Sequence, residues 1–584
     1  MNSDKNQISA IHHLNGPALV VAGPGSGKTT VLTNRVHFLI SSGIPPEKIL
    51  VLTFSKAAAI EMKDRYLKSS RNSSTKVLFG TFHSVFYQFL KSYRHSIPKV
   101  ISDYEKYSIL KRIIRRLHLS VPETEEYLNL LIRHISLVKC GKERPNDDNL
   151  LYFDRIYPLY KEETENAGLL DFEDLLLQTR DMLCMNPDIL KRLQERFQYV
   201  FVDEFQDIDS VQYEILMYLC DTHANLFAVG DDDQCIYSFR GSDPSYMRRL
   251  STDFPDLIKY PLWNNYRCDK SITDASGRLI SHNKERIHKD IVSKSSEEGT
   301  FVKKVFTSLA EEYRYIAELI GDLSDKERKN TVILMRNNRM HTIFVRMLKE
   351  KHIPFTFFGK CEELSANSFV KDILAYFHLC ENYFSYEDFL RIMNKPYRGI
   401  CSYDIPKEEL SFRKLEYLFR NQTYILSEIT KFKQQINSLK ELDSFGRIMY
   451  ITNVIGLKVS NGESKEDVLP YLIDLARKHP EIEKWESALQ DEKIEQKNSA
   501  SAVGIMTMHA AKGLEFKRVI LPDLCEGIIP SNASIQSGIV EEERRLFYVA
   551  MTRAKHELYL FGVNSAKEYK KTERFEPSRF LKEI

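Results

Sequence analysis

The residues Ala22-Gly23-Pro24-Gly25-Ser26-Gly27-Lys28-Thr29 constrain this chain more than any other stretch. An unbroken apolar run, ALVVA at 18–22, leads into them, and a segment of helical periodicity, TTVLTNRVHFLI, leads out. A strand that passes through a glycine-rich turn into a helix curls backbone N–H groups round one point and sets them at the positive end of the helix. That is a phosphate cradle, the P-loop. It is built from Ala22, Gly23, Pro24, Gly25, Ser26 and Gly27 and extended by Lys28, Thr29 and Thr30. Lys28 is expected to reach the terminal phosphates of ATP, and Thr29 to hold its Mg2+.

Further short apolar runs recur between longer amphipathic stretches: ILVLTF (49–54), VLFG (77–80), YVFV (199–202), LFAVG (226–230), TVILM (331–335), GIMTM (504–508) and VILP (519–522). Continuous apolar strands separated by helices predict parallel sheets covered on both faces. The runs fall into two groups, and 584 residues are too many for one core, so two α/β domains are expected. Two stretches lack strand signals, 86–168 and 386–500, and read as helical insertions. Hydrophobic residues make up 43% and charged residues 28%, which excludes a disordered or fibrous chain. Lys and Arg total 83 against 81 acids. A nucleic-acid partner would therefore have to be held by a local groove of positive charge rather than by the global balance.

A P-loop needs a partner carboxylate. YVFV ends in Asp203-Glu204. Asp203 suits a Mg2+ ligand, and Glu204 suits the group that orients and deprotonates an attacking water. Positive charge must also oppose the transition state. Arg240 in YSFRG, Arg267 in NNYRC and Arg553 in AMTRAK are candidates, and residue type alone does not choose among the chain's arginines. The nine cysteines form no C-x-x-C pair. Reduced core thiols, such as Cys220 and Cys235, are expected in place of a zinc or iron–sulfur site. The N-terminus is polar, and no apolar run reaches the ~18 residues of a membrane span, so a cytosolic protein without a membrane partner is expected.

The ordered segments NQISAI, AGPGSGKT, TFSKAAAIEM, GTFHS, LDFEDLL, VFVDEFQD, VGDDDQCIYSFRG, NNYRC, ILMRNN, NKPYRGI, MTMHAAKGLEF and EEERRLFYVAMTRAK resemble the UvrD/Rep branch of superfamily 1 helicases across nearly the whole chain. The resemblance implies an ATP-dependent 3′→5′ translocase or helicase on single-stranded or 3′-tailed DNA. It implies two RecA-like domains with ATP in the cleft between them, 1–85 with 169–270 and 271–385 with 501–584. The helical insertions are then 86–168 and a reduced 386–500.

It also implies residue roles. Gln7 reads the adenine edge, with Arg35 near the base and Tyr266 stacked on it. Gln234 senses the γ-phosphate, Arg267 and Arg553 reach it from opposite sides, and Glu515 with Gly513 touches the nucleotide sugar. Thr81, His83, Arg336, Asn338, His509 and Lys512 match strand-contacting positions. Phe54, Phe82, Phe172, Tyr237 and Phe239, with Arg240, sit at or past predicted strand ends, where aromatic platforms would stack on bases whatever their sequence.

The chain departs from the family pattern at Phe239, where Trp is commoner, and at Cys401, where Gly is usual. Lys56 is displaced by one position and takes no assigned contact. The short 401–500 segment suggests a compact translocase whose strand separation depends on a partner. An alternative reading is an ATP-gated DNA-end sensor or recruitment subunit beside a separate nuclease. Small UvrD-like proteins occur so in anti-phage systems such as Gabija; this is an analogy of family and size.

Overall fold

The computed structural model describes all residues except 1–3, 71–73, 94–98, 118, 120–124, 143–149, 151, 338–340, 359–366, 382–384, 401–404, 406–409, 458–464, 492–500 and 566–574. It divides into two compact units, Met1–Glu312 with Ala511–Ile584, and Tyr313–Ala510.

The first unit is organised by six parallel strands. They are β1 (Ala18–Ala22), β2 (Ile49–Thr53), β3 (Leu78–Thr81), β4 (Tyr199–Val202), β5 (Leu226–Gly230) and β6 (Ile258–Leu262), in the order β3–β2–β4–β5–β1–β6. The four central strands are buried from end to end. Their alternation feeds two cores. Leu19, Val21, Leu50, Leu52, Val200 and Val202 pack on one face. Ala18, Val20, Ile49, Val51, Tyr199 and Phe201 pack on the other. This is why both faces read as apolar in sequence. The edge strand β6 carries Pro261 and exposes Ile258 and Lys259, as an unpaired edge tolerates.

Two short strands follow, β7 (Asn264–Asn265) and β8 (Val292–Ser293), which pair in parallel. Parallel strands then recur as β9 (Thr300–Phe306), β10 (Thr331–Met335), β11 (Phe355–Phe358), β12 (Val503–Thr507), β13 (Phe516–Leu521) and β14 (Ala554–Val563). In the first unit β14 lies between β9 and β13. In the second unit β12 lies between β10 and β11. Both units are thus α/β with parallel strands, the class that two RecA-like domains require.

Helices fill most of the stretches expected to lack strands, although the first also holds a short strand, Lys99–Val100, which pairs in parallel with Leu169–Leu170. Asp103–Arg116, Glu125–Lys139 and Phe153–Asn166 share a core of Leu110, Leu128 and Ile156 within the first unit. In the second unit helices between Ser368 and Asp491 enclose a core containing Phe377, Phe432 and Trp485. Cys220 and Cys235 are buried free thiols. Among the described residues no helix is long and apolar enough to cross a membrane. Cys401 lies outside the described residues.

Candidate active site

Because β1, β2, β4 and β5 run parallel, their C-terminal ends share one edge, where the chain departs at Gly23, Phe54, Asp203 and Asp231. In open α/β sheets that edge is where ligands enter. A cavity of about 710 Å³ lies there, lined entirely by residues of the first unit.

One wall is the P-loop and helix α2 (Lys28–Ser41), with helix α1 (Lys5–Ile11) beside it. Gly25 and Gly27 hold φ of +66° and +86°, which a side chain would strain. They also lack room. A Cβ on Gly25 would come within 2.6 Å of Arg267 Cβ and Asn265 Oδ1, and one on Gly27 within 2.9 Å of Gln7 Nε2. Gln7 Nε2 donates to the Ser26 carbonyl at 2.8 Å, tying α1 to the loop. Asp4 caps α1 by accepting from Gln7 N at 2.8 Å, and accepts from the Tyr266 hydroxyl at 3.0 Å. One carboxylate therefore fixes both residues expected at the base.

The second wall carries the acids. Asp203 leaves β4, its N–H donating to the Leu52 carbonyl at 3.0 Å. Its Oδ1 is buried without a hydrogen-bond partner, and so is Asp207 Oδ1. Burial, then the Glu204 charge, pushes the Asp203 carboxyl up. Burial would also raise Glu204, but Lys28, with Nζ 3.9 Å away, and then Lys512 hold it well below the usual range. Glu204 sits at φ +49°, a left-handed backbone uncommon for a side-chain residue, and accepts from Gln206 Nε2. Orphan carboxylate oxygens in a cavity that Thr29 and the phosphate cradle also line are the hard oxygen donors that Mg2+ takes, so these residues fit Mg·ATP.

The third wall brings cations. Arg553 is buried, with Nε on the Val549 carbonyl at 2.9 Å and Nη2 on Gln234 Oε1 at 3.2 Å. Burial, then Arg267, lowers its guanidinium to about 10, which leaves it charged at neutral pH. Arg267 Nε donates to Glu515 at 2.9 Å, and Lys555 pairs with the same carboxylate. Gly513, Glu515, Lys555 and His556 complete this side.

Among the lining residues Phe54 and Tyr237 stack with centroids 5.0 Å apart and planes 9° off parallel. Lys512 Nζ lies 4.7 Å from the Tyr237 ring centre, donates to the Gln234 carbonyl at 2.9 Å and pairs with Asp207. An aromatic stack and a buried carboxylate of the second wall are thus joined through one lysine.

With this geometry, two family models account for nearly the whole chain. The UvrD/REP helicase N-terminal domain matches residues 3–255, and the UvrD-like helicase C-terminal domain matches 260–441 and 404–565. The chain belongs to the UvrD/REP helicase family. It is 30% identical to the DNA helicase II of Haemophilus influenzae, over 97% of this chain and 85% of that protein. It is 29% identical to the ATP-dependent DNA helicase Rep of Escherichia coli, over 100% of this chain and 94% of that protein. It is also 28% identical to the ATP-dependent DNA helicase PcrA of Leuconostoc citreum, over 100% and 84%.

Not every residue expected at the helicase site reaches the cavity. Among the residues read from sequence, Gln7, Gly25 to Thr30, Phe54, Asp203, Glu204, Gln234, Tyr237, Tyr266, Arg267, Lys512, Gly513, Glu515 and Arg553 line it. Ala22, Gly23 and Pro24 form the approach to the loop without lining it. Arg35 lies in the core, its guanidinium 4.4 Å from the Phe227 ring centre, and burial lowers it to about 9. Phe82 is buried against Phe86. Thr81 is engaged with Ser84 Oγ at 3.0 Å. His83 meets the exposed Phe172 ring edge-on at 5.7 Å. Phe239 and Arg240 line a second cavity of about 270 Å³, with Lys106, Arg133 and Tyr160. Arg336 and His509 belong to the second unit, and Asn338 lies outside the described residues. Sequence reasoning missed Asp4, Asp207 and Lys555. Asp207 had a legible signal, an acid in the same VDEFQD segment as Asp203. Lys555 had one too, two residues after Arg553 in the segment AMTRAK, whereas Asp4 had none.

Proposed function

We propose that this chain is an ATP-dependent DNA helicase that translocates 3′→5′ along single-stranded DNA. The observation that carries the reading is the single cavity in which Lys28, Asp203, Glu204, Gln234, Arg267 and Arg553 meet, with the Phe54–Tyr237 stack in its lining. Mg·ATP supplies the phosphoanhydride bond that is cleaved. Lys28 and the loop N–H groups bind the phosphates, and Thr29 and Asp203 hold the cation. Glu204, kept ionised by Lys28 and Lys512, takes the proton of the attacking water. Arg267 and Arg553 oppose the charge that develops on the transferred group. Tyr266 and Gln7 orient the base.

The stacked Phe54 and Tyr237 offer a platform worth about 1–3 kcal/mol per base irrespective of sequence, as a translocating enzyme needs. Lys512 bridges that platform to Asp207 and Gln234, so a change at the γ-phosphate reaches the DNA side through one side chain.

Lys28→Ala and Glu204→Gln should each abolish DNA-stimulated ATP hydrolysis, and Glu204→Gln should still bind a fluorescent ATP analogue. On tailed duplexes the native chain should unwind 3′-tailed and not 5′-tailed substrates. Sustained hydrolysis by either variant would remove the catalytic assignment, and unwinding from the 5′ tail would remove the polarity.

A further inference from the structure

Lys289 is a buried cation that the mechanism above leaves unused. Its side chain has no exposed surface, and its ammonium lies 2.9 Å from Asp231 Oδ1, 2.5 Å from Asp232 Oδ1 and 2.6 Å from Asp233 Oδ2. These three buried carboxylates have oxygens within 4.8 Å of one another, a spacing that suits a divalent ion. Here the lysine fills that place. Arg286 adds a bidentate pair to Asp233, at 2.9 and 2.6 Å, and the Ile287 N–H donates to Asp232 Oδ2 at 2.6 Å.

The same short segment touches the rest of the nucleotide wall. Ile291 Cδ1 stands where a Cβ on Gly23 would be 3.0 Å away, which packs it on the P-loop. Val292 N donates to the Trp263 carbonyl and Lys294 N to the Asn265 carbonyl, at 2.9 and 2.8 Å. Asn265 Oδ1 in turn accepts from Arg267 N at 2.8 Å. Residues 286–294 therefore form a strap across the P-loop, the β7 strand that leads to Arg267 and the Asp231–Gln234 turn.

The strap reaches Gln234 through Asp231. Gln234 Nε2 donates to Asp231 Oδ2 at 2.6 Å, and Gln234 Oε1 accepts from Arg553 Nη2 at 3.2 Å. An amide has one donor end and one acceptor end. With Asp231 held as an acceptor on one side and Arg553 as a donor on the other, only one orientation satisfies both. We infer that Lys289 is a positioning residue for Gln234: its ammonium fixes Asp231, which keeps the Gln234 oxygen turned to Arg553. Without it Asp231 is a buried carboxylate that has lost its cation and shifts, so the Gln234 amide loses the acceptor that fixes its NH2 end and is held by the Arg553 contact alone.

This inference rests on the reading of Gln234 as the nucleotide sensor, and the test separates the two. DNA-stimulated ATPase, binding of a fluorescent ATP analogue and thermal melting are measured on the full chain for K289M, Q234A and K289M/Q234A. K289M should lower kcat about a hundredfold, as a displaced catalytic geometry does. Nucleotide affinity should change less than about threefold, the signature of a loss confined to turnover. The double variant should lose no more than Q234A alone, since both act through one amide.

Because K289M strands buried carboxylates, D232N/K289M keeps the cluster's formal charge unchanged and should show the same kinetics. Native kcat in either Lys289 variant, multiplicative losses in the double variant, or a chain that folds in neither background would overturn the inference. Native turnover in Q234A would instead overturn the sensor reading beneath it.

Discussion

Glu312 and Asp523 show how residues that do not line the cavity set pH behaviour. Both are buried in the first unit, and the Asp523 N–H donates to Glu312 Oε1 at 3.0 Å. Burial, then the Asp523 charge, pushes the Glu312 carboxyl well above its ordinary 4.5. A carboxyl raised in the folded state binds a proton that the unfolded chain releases. Its contribution to stability is therefore full below the unfolded value and is lost as pH rises through the folded one. Glu312→Gln keeps the acceptor for the Asp523 N–H and removes the titration. In urea denaturation the variant should be more stable than the native chain at pH 8, by about 1–3 kcal/mol, the range for a buried polar group relieved of its penalty. At pH 5 the two should differ less. Asp203 obeys the same physics with another purpose: a buried carboxyl that resists ionising alone is one that a divalent cation can stabilise.

At the scale of elements, the P-loop and the β7 strand are two parts of one wall. Gly25 is left-handed and sits against Arg267 and Asn265, so its missing side chain serves both backbone freedom and close approach. Gly25→Ala meets two costs: about 1–2 kcal/mol for a Cβ in the left-handed region and a clash that moves Arg267. Titration with a fluorescent ATP analogue should show weakened binding and ATPase assays a loss of turnover, while circular dichroism stays native. Gly16→Ala is the matched control. It is also left-handed, at φ +93°, but no atom lies within 4 Å of an added Cβ. It should lose stability alone and leave turnover unchanged.

For the whole molecule, the division into two units makes a separable expectation. Every residue lining the nucleotide cavity belongs to the first unit, whereas Trp485 is buried in the helical core of the second, its ring 5.0 Å from Phe377. Trp485→Ala should cost about 3–5 kcal/mol through the cavity it leaves. Scanning calorimetry should register that loss, and nucleotide affinity should stay within about threefold of native, because no cavity contact is removed. The net charge of +2 makes a related point. With no global pull on a polyanion, the proposed function requires affinity for DNA to come from local cations and stacking, so it should fall steeply when those cations are removed.

The sequence by itself determined what local chemistry can determine. The meeting of Lys28, Thr29, Asp203 and Glu204 in one cavity was legible because a glycine turn between a strand end and a helix start marks the first pair, and an acidic strand end marks the second. The central strands were legible because burial on both faces leaves them continuously apolar. The strand β6 was not, since an edge may be polar and carry Pro261, nor was β14, whose AKHEL opening mixes charged and apolar residues. Phe82 lies in the GTFHS segment and Arg35 was placed by the family resemblance, yet whether such a side chain faces a cavity or the core depends on what packs over it. Tertiary structure alone decided those two. It also decided the Lys512–Asp207 pair, the Asp4 link between Gln7 and Tyr266, and the Lys289 cluster. Each joins residues dozens to hundreds of positions apart, or turns a side chain through a rotamer that its neighbours choose. Spacing along a chain carries chemistry only where the backbone is locally fixed; across strands, the charge that neutralises a buried acid is known only once the sheet has formed.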